Sequence, residues 1–138
     1  AQGARAFGPQ AILVSIDVLR HPDGRREVMI DGGRTATGLE PAAWAREVEK
    51  IGAGEILLQS LDRDGTGTGY DLELIQAVAS ATSVPVIACS GVGQYTQYAD
   101  GIRAGASAVA AANIWHFKEL SDRGGKRALA KAGVNVRL

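Results

Sequence analysis

The chain has 138 residues, of which 46% are hydrophobic and 22% are charged, and these values are typical of one globular domain with a hydrophobic core. Its 15 Lys and Arg residues balance 15 Asp and Glu residues, so the formal net charge is zero. A neutral chain has no electrostatic signature for the phosphate backbone of nucleic acid or for an anionic membrane surface. We therefore expect neither a nucleic-acid partner nor a membrane partner.

The cysteine count limits the redox setting and the metal chemistry. The single cysteine, Cys89, cannot form an internal disulfide, and a zinc site needs several Cys or His ligands close together. We expect no metal, no cofactor and a reducing, cytoplasmic setting. The chain opens at Ala1 without an initiator Met, and residues 1–8 resemble a last helical turn followed by a Gly stop. We expect the chain to begin partway through a larger pattern.

Four apolar runs alternate with four amphipathic segments along the chain. Short, nearly continuous apolar runs are typical of strands buried on both faces of a parallel sheet. Strands are predicted near residues 11–17, 55–61, 84–89 and 107–112. Helices are predicted at residues 41–51, 71–81, 95–104 and about 117–132.

Helix start and stop residues agree with these segments. Pro41 follows Glu40 at a predicted first helical turn, and Asp71 is a predicted N-cap. Glycines stand where the helices are expected to end, at Gly52, Gly105 and Gly133. The segment 18–39 is longer than an ordinary strand-to-helix loop, and we expect a small hairpin arm at residues 27–30 within it.

The order strand, helix, repeated four times, predicts a single α/β domain over residues 1–138. Two architectures fit this order: a (βα)4 half of a TIM (β/α)8 barrel, or an open doubly wound sheet. The half-barrel is the preferred interpretation. Its edges and apolar interior would be exposed, so we expect it to associate with a second half, either another copy or a missing N-terminal half-barrel.

In both architectures the functional groups lie at the carboxyl ends of the strands. Asp17 closes a strongly apolar run, so it is either an acid/base group or a structural carboxylate bonded to backbone N–H groups. Asp62 and Asp64 flank Arg63 after the second strand. For Asp62, an ion pair with Arg63 that fixes the loop, together with an N-cap role, is preferred over catalysis.

Glycine-rich loops follow the second and third strands and admit a phosphate site. Gly91 and Gly93 allow backbone N–H groups to approach an anion closely, and the backbone near Ala112 and Asn113 would complete the site. Alternatively, these glycines serve only as tight turns. Two such loops side by side favour phosphate.

Several other residues have a structural and a functional interpretation. His116 begins the last helical segment, where a capping or packing role is preferred over that of a base. Trp44 and Trp115 are expected to pack on helix faces rather than stack on a ligand. Cys89, at a strand end, is expected to be a small buried hydrophobe.

Several motifs occur together and in order, and their residues resemble one known family. They are Ser15-Ile16-Asp17, residues 32–38, residues 52–58, Asp62-Arg63-Asp64-Gly65-Thr66, Gly69-Tyr70-Asp71, Trp115-His116-Phe117 and residues 133–137. These strings resemble the cyclase subunit of imidazole glycerol phosphate synthase. The resemblance covers essentially the whole chain, but only the C-terminal half of the family's barrel.

The resemblance implies a lyase of histidine biosynthesis. Such an enzyme takes ammonia from a glutaminase partner and converts a bisphosphorylated ribulosyl-formimino-aminoimidazole carboxamide nucleotide. Its products are imidazole glycerol phosphate and aminoimidazole carboxamide ribotide. Two aspartates, one in each half-barrel, act as general acid and base in the family, and Asp17 matches the one in the second half.

The resemblance also implies a site for one of the substrate's phosphates. The family's second-half phosphate residues correspond to Asp64, Gly65, Gly91, Ala112 and Asn113.

The chain differs from the family at three positions near the site. Gln59 stands where the family usually has Thr, Cys89-Ser90-Gly91 replaces Ser-Gly-Gly, and Asn113 replaces Ser. Residues 39–41 and Ala88-Cys89 resemble a paralogous branch associated with amidotransfer to surface-polysaccharide sugars. Three functions therefore remain open: the histidine cyclase, that paralogue, and a phosphate-binding half-barrel without catalysis.

Overall fold

The computed structural model describes residues 1–117 and 121–137. Its strands are β1 (Leu13–Arg20), β2 (Arg26–Ile30), β3 (Thr35–Ala36), β4 (Glu55–Ser60), β5 (Val86–Cys89) and β6 (Ala108–Val109). Its α-helices are α1 (Gln2–Phe7), α2 (Pro41–Lys50), α3 (Leu72–Ala79), α4 (Gln97–Arg103), α5 (Asn113–Phe117) and α6 (Ser121–Lys131). A 3₁₀ turn at Pro9–Ala11 connects α1 to β1.

The strand order β3-β2-β1-β4-β5-β6 decides between the two predicted architectures. β1, β4, β5 and β6 are parallel and follow chain order, whereas β2 and β3 extend the β1 edge in antiparallel fashion. A doubly wound sheet reverses its strand order at a switch point, and this sheet does not. Right-handed crossovers that advance in one direction put every helix on the same face. The fold is therefore the (βα)4 half of a barrel.

The two faces of the parallel strands differ in burial. On the face covered by helices, six side chains are no more than 2% exposed: Ile16, Val18, Ile56, Leu58, Val86 and Ala88. The residues between these along each strand point to the opposite face of the sheet, which we call the open face. Its residues are half-buried or exposed: Leu13, Ser15, Asp17, Glu55, Leu57, Gln59, Ile87 and Cys89. This one-sided burial is what half of a closed barrel leaves on its inner side.

Most element boundaries differ from the predictions by one to four residues. β1 begins at Leu13 because Pro9–Ala11 form the 3₁₀ turn, and it continues past Asp17 because Leu19 and Arg20 pair with β2. The predicted arm at residues 27–30 is present as β2. The strand predicted at 107–112 is only two residues long. Part of the predicted last helix lies at residues 118–120, outside the described residues.

The predicted helix starts are confirmed by their hydrogen bonds. The Glu40 carboxylate accepts from the backbone N–H groups of Ala42 and Ala43, and Asp71 accepts from that of Leu74. Gly52, Gly105 and Gly133 follow helices with positive φ angles. Trp44 packs against the core as predicted, but Trp115 is 50% exposed, so the packing interpretation is wrong for Trp115.

Candidate functional site

Asp17 lies in one row of the open face with Gln59 and Cys89. The parallel register places Asp17 opposite Gln59 on β4, and Gln59 opposite Cys89 on β5. The alternation of strand residues points all three side chains to the same side of the sheet. The sequence predicted Asp17 as a site residue, but it did not predict that Gln59 would be its neighbour.

The Asp17 carboxylate is held by two side chains of the open face. Ser15 Oγ donates a hydrogen bond of 2.9 Å to Asp17 Oδ1, and Gln59 Nε2 donates another of 2.9 Å to the same oxygen. Gln59 Nε2 also donates to Ser15 Oγ at 3.1 Å. The alternative in which Asp17 is a structural carboxylate bonded to backbone N–H groups is not what the structure shows, because both donors are side chains.

Four of the predicted phosphate residues line one cavity at the carboxyl end of the sheet. This cavity has a volume of about 220 Å³ and is lined by Asp64, Gly65, Ala112, Asn113 and His116. Asn113 Nδ2 donates to the carbonyl oxygen of Gly65 at 3.3 Å, which connects the loop after β4 to the start of α5. Gly65 has a φ of 74°, and a methyl group there would meet open space. The two loops therefore form a small polar depression.

Gly91, the fifth predicted phosphate residue, joins two loops and does not line that cavity. Its carbonyl oxygen accepts a hydrogen bond of 2.8 Å from Gly69 N, and a Cβ on Gly91 would collide with the Gly69 carbonyl oxygen. A Cβ on Gly93 would likewise lie 2.6 Å from the Gly67 carbonyl oxygen. Close backbone packing thus accounts for these glycines. A phosphate contact from Gly91 stays a prediction.

The aspartates beside Arg63 do not form the predicted ion pair. Asp62 Oδ1 instead accepts from the backbone N–H of Arg20 at 3.0 Å and from Ser60 Oγ at 3.4 Å. Asp62 therefore anchors the end of β1 to the loop after β4. Arg63 Nη1 donates to Thr68 Oγ1 at 3.3 Å, within its own loop. The expectation of an Asp62–Arg63 pair was wrong because the nearest donor to Asp62 is backbone.

His116 and Cys89 also differ from their expected roles. His116 is exposed and lines the cavity beside Asp64 and Asn113, so the packing interpretation is wrong. Cys89 is half-buried on the open face rather than fully buried. Desolvation raises the pKa of the Cys89 thiol, although Ser90 donates hydrogen bonds that act in the opposite direction. The thiol is therefore a weak nucleophile near neutral pH.

The β2 arm is attached to the rim of the site by charged groups. Arg26 Nε and Nη2 each donate to Asp71, the N-cap of α3, at 2.8 Å, and Nη2 also donates to Glu73 at 2.7 Å. Burial raises the pKa of Asp71, but hydrogen bonds from Arg26 and from Leu74 N outweigh it, so this pKa lies below its usual value. The arm and the loop before α3 are thus held together.

Residues 1–117 and 121–137 contain no group of three or more His, Cys, Asp or Glu side chains that could hold a metal ion. Within the same ranges, no helix is long and apolar enough to cross a membrane.

Comparison with known proteins identifies the family to which the chain is similar. A family model described as "Histidine biosynthesis protein" matches residues 1–121. The imidazole glycerol phosphate synthase subunit HisF of Pyrobaculum aerophilum is 50% identical over 135 residues, which cover 98% of this chain and 53% of that protein. The subunit of the same name from Alkaliphilus metalliredigens is 47% identical over 135 residues, covering 97% and 54%. The chain spans about half the length of these curated relatives. Because the model matches most of its residues, the chain belongs to the histidine biosynthesis protein family.

Proposed function

We propose that this chain is the C-terminal half of a cyclase that forms imidazole glycerol phosphate and aminoimidazole carboxamide ribotide. The observation that carries the proposal is the position of Asp17. Its carboxylate lies on the open face, at the same end of the sheet as the cavity lined by Asp64, Gly65 and Asn113. The HisF identity of the relatives supports the same reaction.

In this proposal, some residues of the chain bind the substrate and another transfers a proton. The cavity binds one phosphate of the substrate through backbone N–H groups and the side chains of Asn113 and His116. Asp17 then donates or accepts a proton at the reacting end of the substrate. The second aspartate, the second phosphate site and the ammonia from a glutaminase subunit come from outside these 138 residues.

The open face carries exposed apolar side chains and must be covered by another structural element to form a closed active site. Leu13 is 49% exposed there, and Leu57 and Ile87 are only half-buried. We propose that a second four-stranded half-barrel packs on this face, either the missing N-terminal half or another copy. A two-fold pair of copies would bring one Asp17 from each to a shared interior. Light scattering should then give twice the chain mass, whereas a well-folded monomer at micromolar concentration would rule out the pair.

The test of the cyclase is turnover of the formimino nucleotide, with ammonium as nitrogen donor, by this chain associated with a second half-barrel. Asp17→Asn removes the titratable carboxylate at constant size and should abolish turnover. Asp23→Asn is the matched control, because Asp23 is exposed in the β1–β2 turn and should leave the rate unchanged. Full activity in Asp17→Asn contradicts the proposal.

Two other outcomes would identify the alternatives. Phosphate binding without turnover, even when the wild-type chain is associated with a second half-barrel, would indicate a phosphate-binding half-barrel. Amidotransfer to a surface-polysaccharide sugar, without turnover of this nucleotide, would indicate the paralogous function. Residues 39–41 and Ala88-Cys89 resemble that branch.

A further inference from the structure

The two oxygens of the Asp17 carboxylate have different surroundings. Oδ1 accepts both hydrogen bonds, from Ser15 Oγ and from Gln59 Nε2, each at 2.9 Å. Within the described part of the chain, no residue donates a hydrogen bond to Oδ2. Oδ1 is therefore fixed by two hydrogen bonds, and Oδ2 remains available to a bound ligand.

Each polar hydrogen of the Gln59 amide and the Ser15 hydroxyl has one acceptor in this cluster. The Gln59 amide nitrogen carries two hydrogens, which match its bonds to Asp17 Oδ1 and Ser15 Oγ, and the single Ser15 hydroxyl hydrogen matches the bond to Asp17. If the amide were turned around, its carbonyl oxygen would face the carboxylate oxygen, and two acceptors would repel each other. The carboxylate thus fixes the orientation of the Gln59 side chain.

The backbone holds the three side chains in these positions. Gln59 lies directly opposite Asp17 in the β1–β4 register, and Ser15 precedes Asp17 by two residues on the same strand face. Groups mounted on paired strands keep their geometry better than groups on loops. A Thr at position 59, usual in the family this chain resembles, has one hydroxyl hydrogen and could not donate to both Asp17 and Ser15.

We propose that Gln59 is a positioning residue: together with Ser15 it holds Oδ1 of Asp17, so that Oδ2 is the oxygen that exchanges a proton with the substrate. This inference rests on the proposed function, in which Asp17 is an acid/base group. Because the proton moves between the substrate and Oδ2 alone, loss of Gln59 should affect the rate of the chemical step rather than substrate binding.

The contact itself is tested without any turnover, by NMR of side-chain amides in the 138-residue chain. Gln59→Met assigns the Gln59 signals by their disappearance, and Ser15→Ala and Asp17→Asn should each shift them. Gln76→Met provides the matched control, since Gln76 is exposed on α3 and its signals should resemble those of a free amide. Gln59 amide signals with the chemical shifts of Gln76, unchanged in Ser15→Ala, would overturn the proposal.

The positioning role is tested by steady-state kinetics with ammonium, using the chain associated with a second half-barrel. Gln59→Met should lower kcat about ten-fold with KM within about two-fold of the wild-type value. Gln59→Glu has the same length but replaces a donor by an acceptor, so its kcat should fall further. Gln76→Met should change neither constant. A raised KM at unchanged kcat, or no change at all in Gln59→Met, would contradict the positioning role.

The outcomes separate this inference from the proposed function. If Asp17→Asn abolishes turnover while Gln59→Met retains the wild-type kcat, only the positioning role fails. If the wild-type chain associated with a second half-barrel does not catalyse turnover, or if Asp17→Asn remains active, the proposed function fails and the positioning role with it. The amide signals would still decide whether Gln59 binds the carboxylate.

Discussion

Arg26 and Asp71 are 45 residues apart in the sequence, yet the guanidinium of Arg26 donates to both carboxylate oxygens of Asp71 at 2.8 Å. Asp71 also accepts from the backbone N–H of Leu74 at the start of α3. The pair therefore joins the β2 arm to the helix that follows the β4 loop. Its hydrogen bonds raise the pKa of Arg26 above the ordinary value for arginine, against the opposing effect of burial.

Removing Arg26 should destabilise the fold. The Asp71 side chain is 3% exposed, so Arg26→Met would leave a buried carboxylate without its cation, at a cost of about 3 kcal/mol in the free energy of unfolding. Urea denaturation measures this cost. Arg103→Met is the control, because the Arg103–Asp100 pair is exposed and should contribute less than about 1 kcal/mol. Equal losses in the two variants would contradict the expectation.

Glu27 should contribute a pH-dependent stabilisation. Hydrogen bonds from Arg25, from the Gly38 backbone and from His21 lower the pKa of Glu27 to about 2. Since this folded-state pKa lies below the unfolded value of about 4.3, the stabilisation is present above that value and is lost as the pH falls toward 2.

The expected result is a difference between two pH profiles of the urea midpoint. Between about pH 5 and about pH 2, the midpoint should fall less steeply in Glu27→Gln than in the wild-type chain. Glu47→Gln, on the exposed side of α2, should follow the wild-type profile. Parallel profiles for wild type and Glu27→Gln would show that Glu27 has no such role.

Gly91 and Gly24 offer a matched pair for testing the loop packing. Their φ angles are 89° and 88°, so alanine suffers the same backbone strain at both positions. A Cβ at Gly24 meets no atom within 4 Å, whereas one at Gly91 collides with the Gly69 carbonyl oxygen. Gly91→Ala should therefore cost about 1–3 kcal/mol more than Gly24→Ala in thermal or urea unfolding. Similar costs would mean that the two loops do not pack closely.

The chain has two histidines, and only His116 should affect phosphate binding. His116 lines the cavity with Asp64, Gly65 and Asn113, whereas His21 binds Glu27 in the β2 arm. Loss of one hydrogen bond to a charged ligand costs about 1.5 kcal/mol or more, so His116→Ala should weaken inorganic phosphate binding about ten-fold. Titration followed by NMR measures the affinity. An effect of the same size in His21→Ala would contradict the assignment to this cavity.

The sequence by itself determined the parts of this protein that depend on neighbours along the chain. The apolar runs marked the strands, and Glu40, Asp71 and the glycines after helices marked where helices begin and end. Each of these features is encoded within a few residues, so a local pattern is sufficient to predict it.

The tertiary structure alone decided which distant residues meet. The contact of Gln59 with Asp17 depends on the β1–β4 register, and the partner of Asp62 is the backbone of Arg20, not its neighbour Arg63. Likewise β1 extends to Arg20 only because β2 folds back to pair with it. The contacts of Gln59 with Asp17 and of Asp62 with Arg20 each join residues 42 positions apart, and no local pattern of apolar residues or turns specifies such contacts or the register of paired strands.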